Sequence, residues 1–290
     1  MLEAQSESEI TVWSIGIYSG ETLFDFTGAK GIENPVISAA DIFDVRAASV
    51  ADPFMVKAGE TWHMFFEVLL QEEEKGEIGW ATSKDGLLWN YRQIVLRESF
   101  HMSYPYVFCL DGDYYVVPET GQAGAIRLYR ADPFPNEWTF IGAILEGVWM
   151  DPSIFFFDGR YWMFASPAYG RLDLFYARSI DGPWRAHAMN PIVEGDIRIA
   201  RPGGRVLVLG DKVIRFTQDG IPEYGTQVRA FEISGLTTST YVERELAGPI
   251  LAPGKEEWNL LGMHHIDPHW VDGKWLACVD GWRNESRNSC

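Results

Sequence analysis

Met150-Asp151-Pro152-Ser153-Ile154-Phe155 is one of five proline-anchored segments in this chain. The others are Ala51-Asp52-Pro53-Phe54-Met55-Val56, Ser103-Tyr104-Pro105-Tyr106-Val107-Phe108, Ala200-Arg201-Pro202-Gly203-Gly204-Arg205 and Ile266-Asp267-Pro268-His269-Trp270-Val271. Their prolines lie 52, 47, 50 and 66 residues apart. A short unit repeated at this period cannot bury its apolar face alone, so the copies must stack or close into a ring.

Each anchor opens an apolar strand that runs into a tight polar turn. The turns are Ala58-Gly59-Glu60, Asp111-Gly112-Asp113, Asp158-Gly159-Arg160, Gly210-Asp211 and Asp272-Gly273. Gly beside Asp between two apolar runs signals a hairpin. Second strands are expected over residues 62–68, 114–118, 161–165, 212–217 and 274–279, and third strands over 77–82, 125–130, 173–177 and 227–233. Ser83-Lys84-Asp85-Gly86 before Trp89, and Ser179-Ile180-Asp181-Gly182 before Trp184, read as turns into an outer strand. Each Trp should cover the outer core, as should Trp138 in a looser copy.

Five four-stranded antiparallel units predict an all-β fold, a five-bladed β-propeller. The fifth copy runs short after Gly281. Residues 11–19 alternate, with Trp13, Ile15 and Ile17 on one face, so an N-terminal strand should complete the last blade. The expected domain is single, over residues 1–290, with 1–10 flexible and 21–50 a long loop leading into the first blade. No helical periodicity of useful length is present.

Composition narrows the function classes. A net charge of −17 disfavours nucleic acid and anionic membrane and leans toward neutral or cationic ligands. No apolar run reaches the length of a membrane span. The first ten residues show no signal peptide, which leaves the cytoplasm as the default compartment. Cys109, Cys278 and Cys290 give no disulfide framework, and Cys109 and Cys278 read as core residues. Glu72-Glu73-Glu74-Lys75 reads as a solvated hairpin loop.

In a ring of blades the start of each first strand and the end of each second strand meet at one rim. The first set is Asp52, Tyr104, Asp151, Arg201 and Asp267, with His264 and His265 just upstream of the last. The second is Glu67, Glu119, Ser166, Gln218 with Asp219, and Asp280. Trp149, Tyr104, Tyr106 and Trp282 could offer a platform for a ring. Sugars need this mixture: carboxylates and Arg for hydroxyls, aromatic faces for C–H surfaces. Glycosidic cleavage needs two carboxyl groups, one protonated and one ionised. Crowded carboxylates keep one of them protonated. The plainer alternative is that Asp before Pro is a turn residue. Glu67 and Glu119 end apolar strands, where a charge requires a partner or a pocket. The His pair could hold a metal, touch substrate or simply form a loop.

These residues resemble the five-bladed propeller glycosidases of the arabinanase and β-xylosidase superfamily, the family 43-like enzymes. The resemblance rests on Asp52-Pro53, on the stretch from Met150 to Phe155, and on Ser83-Lys84-Asp85-Gly86 with Trp89. Gly76-Glu77-Ile78-Gly79, Ser103 to Phe108, Ala200 to Arg205 and Met263-His264-His265-Ile266-Asp267-Pro268 more closely resemble the propeller of glucosamine inositolphosphorylceramide transferases. The resemblance implies a carbohydrate ligand or substrate, inversion at the anomeric carbon, and association with a glycosyltransferase. It implies Asp52 as general base and Asp151 as the carboxylate that tunes the acid. It places the general acid where this chain has Ala200. Glu119 or Glu67 would then supply the proton, with Glu194 a poorer substitute. Otherwise hydrolysis is lost and the funnel only binds sugar. Arg201, Tyr104, His264, His265, Asp267 and Trp149 are the expected substrate contacts. No cofactor is required, and relatives with a central calcium would place it by His265.

Overall fold

The computed structural model describes residues 9–286, apart from Glu74. They form five antiparallel sheets arranged as the blades of a propeller. Blade one is built from Ala47–Ala58, Thr61–Leu70, Gly76–Ser83 and Asn90–Leu96. Blade two is Ser103–Leu110, Asp113–Glu119, Ala125–Ala131 and Trp138–Glu146. Blade three is Met150–Phe157, Arg160–Ala168 and Arg171–Ala177, edged by the short pieces Arg185–Ala186 and Val193–Glu194. Blade four has a first strand broken into Arg201–Pro202 and Leu207–Leu209, then Lys212–Asp219, Gln227–Leu236 and Tyr241–Leu251.

Blade five joins the two ends of the chain. Ile266–Val271 and Lys274–Ser286 are its first two strands, and Glu9–Gly20 is the third. Glu9 pairs with Ser286, and the register continues unbroken to Gly20 opposite Trp275. Ile15 and Ile17 are fully buried, which drives this closure. Residues 21–50 are not the single loop that the sequence suggested. Thr27–Gly28 forms the outer strand of blade five, Ile37 bridges to Ile15, and Ala47 already belongs to blade one. Of the stretch expected to be flexible, Glu9 and Ile10 are paired, and residues 1–8 lie outside the described residues.

The core is divided among the gaps between blades. Phe54, Phe65, Val107, Val117 and Ile154 pack across blades one to three. Phe155, Phe164, Val213 and Ile233 pack between blades three and four. Phe216, Val228, Ile266 and Ala277 join four to five, and Ile17, Met55, Phe66 and Cys278 join five to one. Cys109 corrects the sequence reading: it is exposed, because alternation near the end of its strand turns it outward. Glu72 and Glu73 are exposed in their turn, and Glu74 lies outside the described residues. The outer tryptophans share one device. Trp89, Trp138 and Trp184 each donate their indole N–H to a carbonyl of the preceding turn.

Two backbone features position the site. In the Asp111-Gly112, Asp158-Gly159 and Asp272-Gly273 turns both residues have positive φ, the geometry that matches hairpin twist. More unusually, Asp52, Tyr104 and Asp151 have φ of 52°, 47° and 50°. Non-glycine residues rarely occupy this region. At each of the three the strand register breaks, between Ala51 and Phe54, Ser103 and Tyr106, and Met150 and Ser153. The kink takes the pre-proline residue out of the regular strand ladder.

Candidate functional site

A cavity of about 250 Å³ opens at the rim where first strands begin and second strands end. Asp52, Glu67, Glu119, Arg201 and His264 line it together with Trp13, His101 and Tyr224. Five sequence-predicted residues therefore converge. Glu67, three residues before the end of the second strand of blade one, and Glu119, at the end of that of blade two, are 14% and 16% exposed at their side chains.

Asp151 lies just beneath, fully buried. The Arg201 guanidinium grips its carboxylate, Nε to Oδ2 at 2.5 Å and Nη2 to Oδ1 at 3.3 Å. Gln218 adds an Nε2 bond to Oδ2 at 2.7 Å. Arg201 Nη2 also lies 3.6 Å from Glu119 Oε2, and the guanidinium sits over the Tyr224 ring, 5.2 Å from its centroid. Such an arrangement fixes Arg201 rather than leaving it free to swing.

A repeated clamp holds Asp52 and Asp151. Asp280, at the blade-five position equivalent to Glu119, accepts the Asp52 N–H on Oδ2 at 3.0 Å. Its Oδ1 accepts the backbone N–H groups of His264 and His265 at 3.1 and 3.0 Å, and meets His264 Nδ1 at 2.9 Å. In blade two Glu119 Oε2 accepts the Asp151 N–H at 3.2 Å. In both pairs a carboxylate on a second strand secures the strained residue that opens the next blade.

The other expected contacts fall elsewhere. Tyr104 is fully buried; its hydroxyl accepts the Gly204 N–H at 2.7 Å and bonds the Gly204 carbonyl at 3.0 Å, tying blade two to blade four. Asp267 lies inside its strand rather than at the rim. It is fully buried, paired with Arg205 at 2.5 Å and His269 at 3.0 Å, and it accepts the Met55 N–H at 2.6 Å. Trp149 does not line the cavity; its indole N–H bonds Glu146 and its ring meets Phe175 edge-on at 5.0 Å. Glu194 is exposed on the outer edge of blade three. Ser166 bonds the backbone of its own hairpin. Trp282 is buried against Gly225, and Tyr106 is buried beside Arg205. Ala200, where the family resemblance puts an acid, is fully buried.

Among the cavity residues, the sequence does not mark Trp13, His101 and Tyr224, nor Ser49 and Leu69. Trp13 read as core beside Ile15 and Ile17, but its ring stacks on His264 at 4.0 Å. Its place on the closing strand, next to a blade-five rim residue, was the available signal. Tyr224 and His101 lie in connections without a motif.

The electrostatics are lopsided. Burial pushes Asp52 up to about 7, helped by the charges of Asp151 and Asp280 and opposed by His264 and Arg201. Burial also lifts Glu67 well above the usual range, with Asp52, Glu119 and Asp151 adding to it. Glu119 rises for the same reason, with Asp151 next. Burial works against charge on Asp280, yet His264 holds it below its ordinary value. His264 is raised in turn, because Asp280 outweighs burial. His265 is pushed down to about 4 by burial, between the rings of Phe54 and Tyr104.

Asp52, His264 and Asp280 offer ligand atoms within 4.8 Å of one another. These side chains alone do not supply the roughly 6–8 oxygens that calcium takes, so an ion beside His265 would be held largely through water, as the resemblance implies. Both Asp280 oxygens are occupied by N–H donors, and His264 Nδ1 is bound to Asp280. His265 adds imidazole nitrogens, with Nδ1 3.7 Å from Asp52 Oδ1, and no further oxygen. Asp280 is the hydrogen-bond hub of the cluster, while the buried Asp52 Oδ1 and both His265 ring nitrogens have no hydrogen-bond partner among the described residues.

Solved structures share this ring of blades. An α-L-arabinanase of Cellvibrio cellulosa, complexed with arabinohexaose, is 21% identical with a TM-score of 0.60, covering 82% of this chain and 91% of that one. The catalytic domain of a Coprinopsis cinerea α-L-arabinofuranosidase is 13% identical with a TM-score of 0.62, over 81% and 91%. At these identities the likeness is one of fold. Among curated proteins, glucosamine inositolphosphorylceramide transferase 1 of Oryza sativa subsp. japonica is 34% identical over 303 residues, 96% of this chain and 41% of that protein. The Arabidopsis thaliana protein of the same name is 34% identical over 297 residues, 93% of this chain and 39% of that protein. The chain thus spans about two-fifths of these relatives. The family model described as "Glucosamine inositolphosphorylceramide transferase 1, N-terminal" matches residues 5–282, and the chain belongs to that family.

Proposed function

We propose that this propeller is carbohydrate-directed and that its funnel hydrolyses a glycoside. The observation that carries the reading is the convergence of Asp52, Glu67, Glu119 and Arg201 on one small cavity that Trp13 and Tyr224 also line. At about 250 Å³ the cavity is smaller than the ~300–1,000 Å³ of drug-sized sites, so it suits one sugar ring rather than a chain. Carboxylates accept from hydroxyls, and the aromatic faces cover C–H surfaces.

Asp52 is the base. Its position near 7 suits proton abstraction from water near neutral pH. Asp151, locked by Arg201, fixes the charge beneath the reacting centre. Glu119 or Glu67 supplies the proton to the leaving oxygen. Inversion is the outcome the family resemblance implies.

A second reading is favoured by Ala200 and by the relatives' length. Without the blade-four acid, the funnel binds a glycan and serves an associated glycosyltransferase. Incubation with a panel of aryl and alkyl glycosides separates the two. Product with the inverted anomer, lost in Asp52→Asn, supports hydrolysis. Saturable binding without product supports the accessory reading.

A further inference from the structure

We propose that Glu67 is the proton donor of this reaction, in place of the absent blade-four glutamate, and that Glu119 is a positioning residue. The inference rests on the hydrolase reading of the funnel.

Three second strands carry a carboxylate toward the rim of blades five, one and two: Asp280 within Lys274–Ser286, Glu67 within Thr61–Leu70 and Glu119 at the end of Asp113–Glu119, while Asp219, which ends the second strand of blade four, is paired with Arg229. Two of the three are committed as acceptors. Asp280 receives the Asp52 N–H, and Glu119 receives the Asp151 N–H. Glu119 also faces the Arg201 guanidinium at 3.6 Å. The N–H donor and the guanidinium both favour an accepting carboxylate and work against the burial and the Asp151 charge that push Glu119 up; the geometric contrast with Glu67 is that Glu119 has these two partners.

Glu67 differs. Among the described residues no N–H is hydrogen-bonded to its carboxylate and no Arg or Lys is paired with it. Its near polar neighbour is His101, with Nε2 3.6 Å from Oε1. His101 Nδ1 accepts the Gly76 N–H at 2.9 Å, so the neutral ring carries its proton on Nε2. Burial, with Arg201 adding, lowers the affinity of His101 for a second proton. His101 is thus a neutral neighbour and offers Glu67 no counter-charge. The other groups facing Glu67 are Asp52, Glu119, Asp151 and Arg201. Three are carboxylates, and Arg201 is spent on Asp151. A protonated Glu67 relieves this repulsion.

The backbone makes room for it. Any Cβ at Gly76 would sit 2.6 Å from Glu67 Oε1 and 2.2 Å from the Met102 carbonyl oxygen. Glycine there lets the carboxyl lie against the strand while facing the cavity. In the step itself the Glu67 proton passes to the glycosidic oxygen as its bond to the anomeric carbon breaks. A water oxygen bonds to that carbon and gives a proton to Asp52. The products are an alcohol and a hemiacetal, and the proton returns from Asp52 to Glu67 through solvent.

The test uses two classes of glycoside on Glu67→Gln and Glu119→Gln. A proton donor matters for a poor leaving group and little for a good one. Glu67→Gln is expected to lose about 10²–10⁴-fold in kcat/KM on alkyl glycosides and less than about tenfold on dinitrophenyl glycosides. Glu119→Gln should reduce both alike. If Glu67→Gln does not fold, Glu67→Asp takes its place, again with the larger loss on the alkyl substrate. Equal losses at residue 67, or the leaving-group pattern at residue 119, overturn the assignment while hydrolysis stands. Wild-type protein that turns over neither class overturns the hydrolase reading, and this assignment with it.

Discussion

Asp280 Oδ2 accepts the backbone N–H of Asp52 at 3.0 Å, across 228 residues of sequence. Asp280 lies on the strand that pairs with the N-terminal strand, where its partner is Ile15. The contact that closes the ring therefore also fixes the backbone of the proposed base. Trp13, from the same N-terminal strand, stacks on His264 above this hub.

Asp280→Ala should destabilise the fold and empty the site of its geometry. Three buried N–H groups, of Asp52, His264 and His265, lose their acceptor. Each unsatisfied donor costs about 1–3 kcal/mol. With roughly 2–4 °C of Tm per kcal/mol for a domain of comparable size, a drop of 6 °C or more is expected by calorimetry. An unchanged Tm would show that the clamp is not structural.

The pH dependence of stability should bear the mark of Asp52. Its pKa rises from the ordinary 3.8 to about 7, chiefly through burial, so the folded state binds the proton more tightly than the unfolded chain. The stability this contributes is fully present below about 3.8 and is lost as pH rises through about 7. Asp52→Asn keeps the shape and removes the buried charge. Thermal melts should place the variant several degrees above wild type at pH 8, with the advantage gone at pH 4. An advantage that does not change with pH would contradict the assignment of that charge.

Gly204→Ala tests how closely blades four and five approach. A Cβ there would lie 1.8 Å from the Ile266 carbonyl oxygen, and the residue has φ of 142°. Both obstacles are backbone and cannot rotate away. The variant is expected to lose more than about 3 kcal/mol in denaturant unfolding, at the severe end for single substitutions. It should also weaken the Tyr104 bridge, because Gly204 is both donor and acceptor to that hydroxyl.

The blades were legible because their turns and anchors repeat. Asp-Gly turns between apolar runs marked the hairpins, and the alternation around Ile15 marked the closing strand. Asp52, Glu67, Glu119, Arg201 and His264 were legible because strand ends in a ring must converge. The misplacements have physical causes. Asp267 follows the same Pro pattern as Asp52, but blade five lacks the left-handed kink at that point, so its carboxylate stays in the channel with Arg205. Tyr104 has the kink, yet its ring length carries the hydroxyl across to Gly204. Trp13 shares a strand face with two core isoleucines, which hides the signal of its place on the closing strand beside the blade-five rim; its stacking on His264 reveals it as a cavity wall. Residues 21–50 hid a two-residue outer strand, Thr27–Gly28, too short to carry a period.

The central claim is that the funnel cleaves a glycosidic bond using Asp52. Proton NMR of a wild-type reaction with a glycoside panel, run beside Asp52→Asn, tests it most directly. The account predicts a free sugar that appears first as the inverted anomer, formed by wild type and reduced at least about 100-fold in Asp52→Asn. Equal product from both proteins, or saturable binding with no product from either, would contradict it.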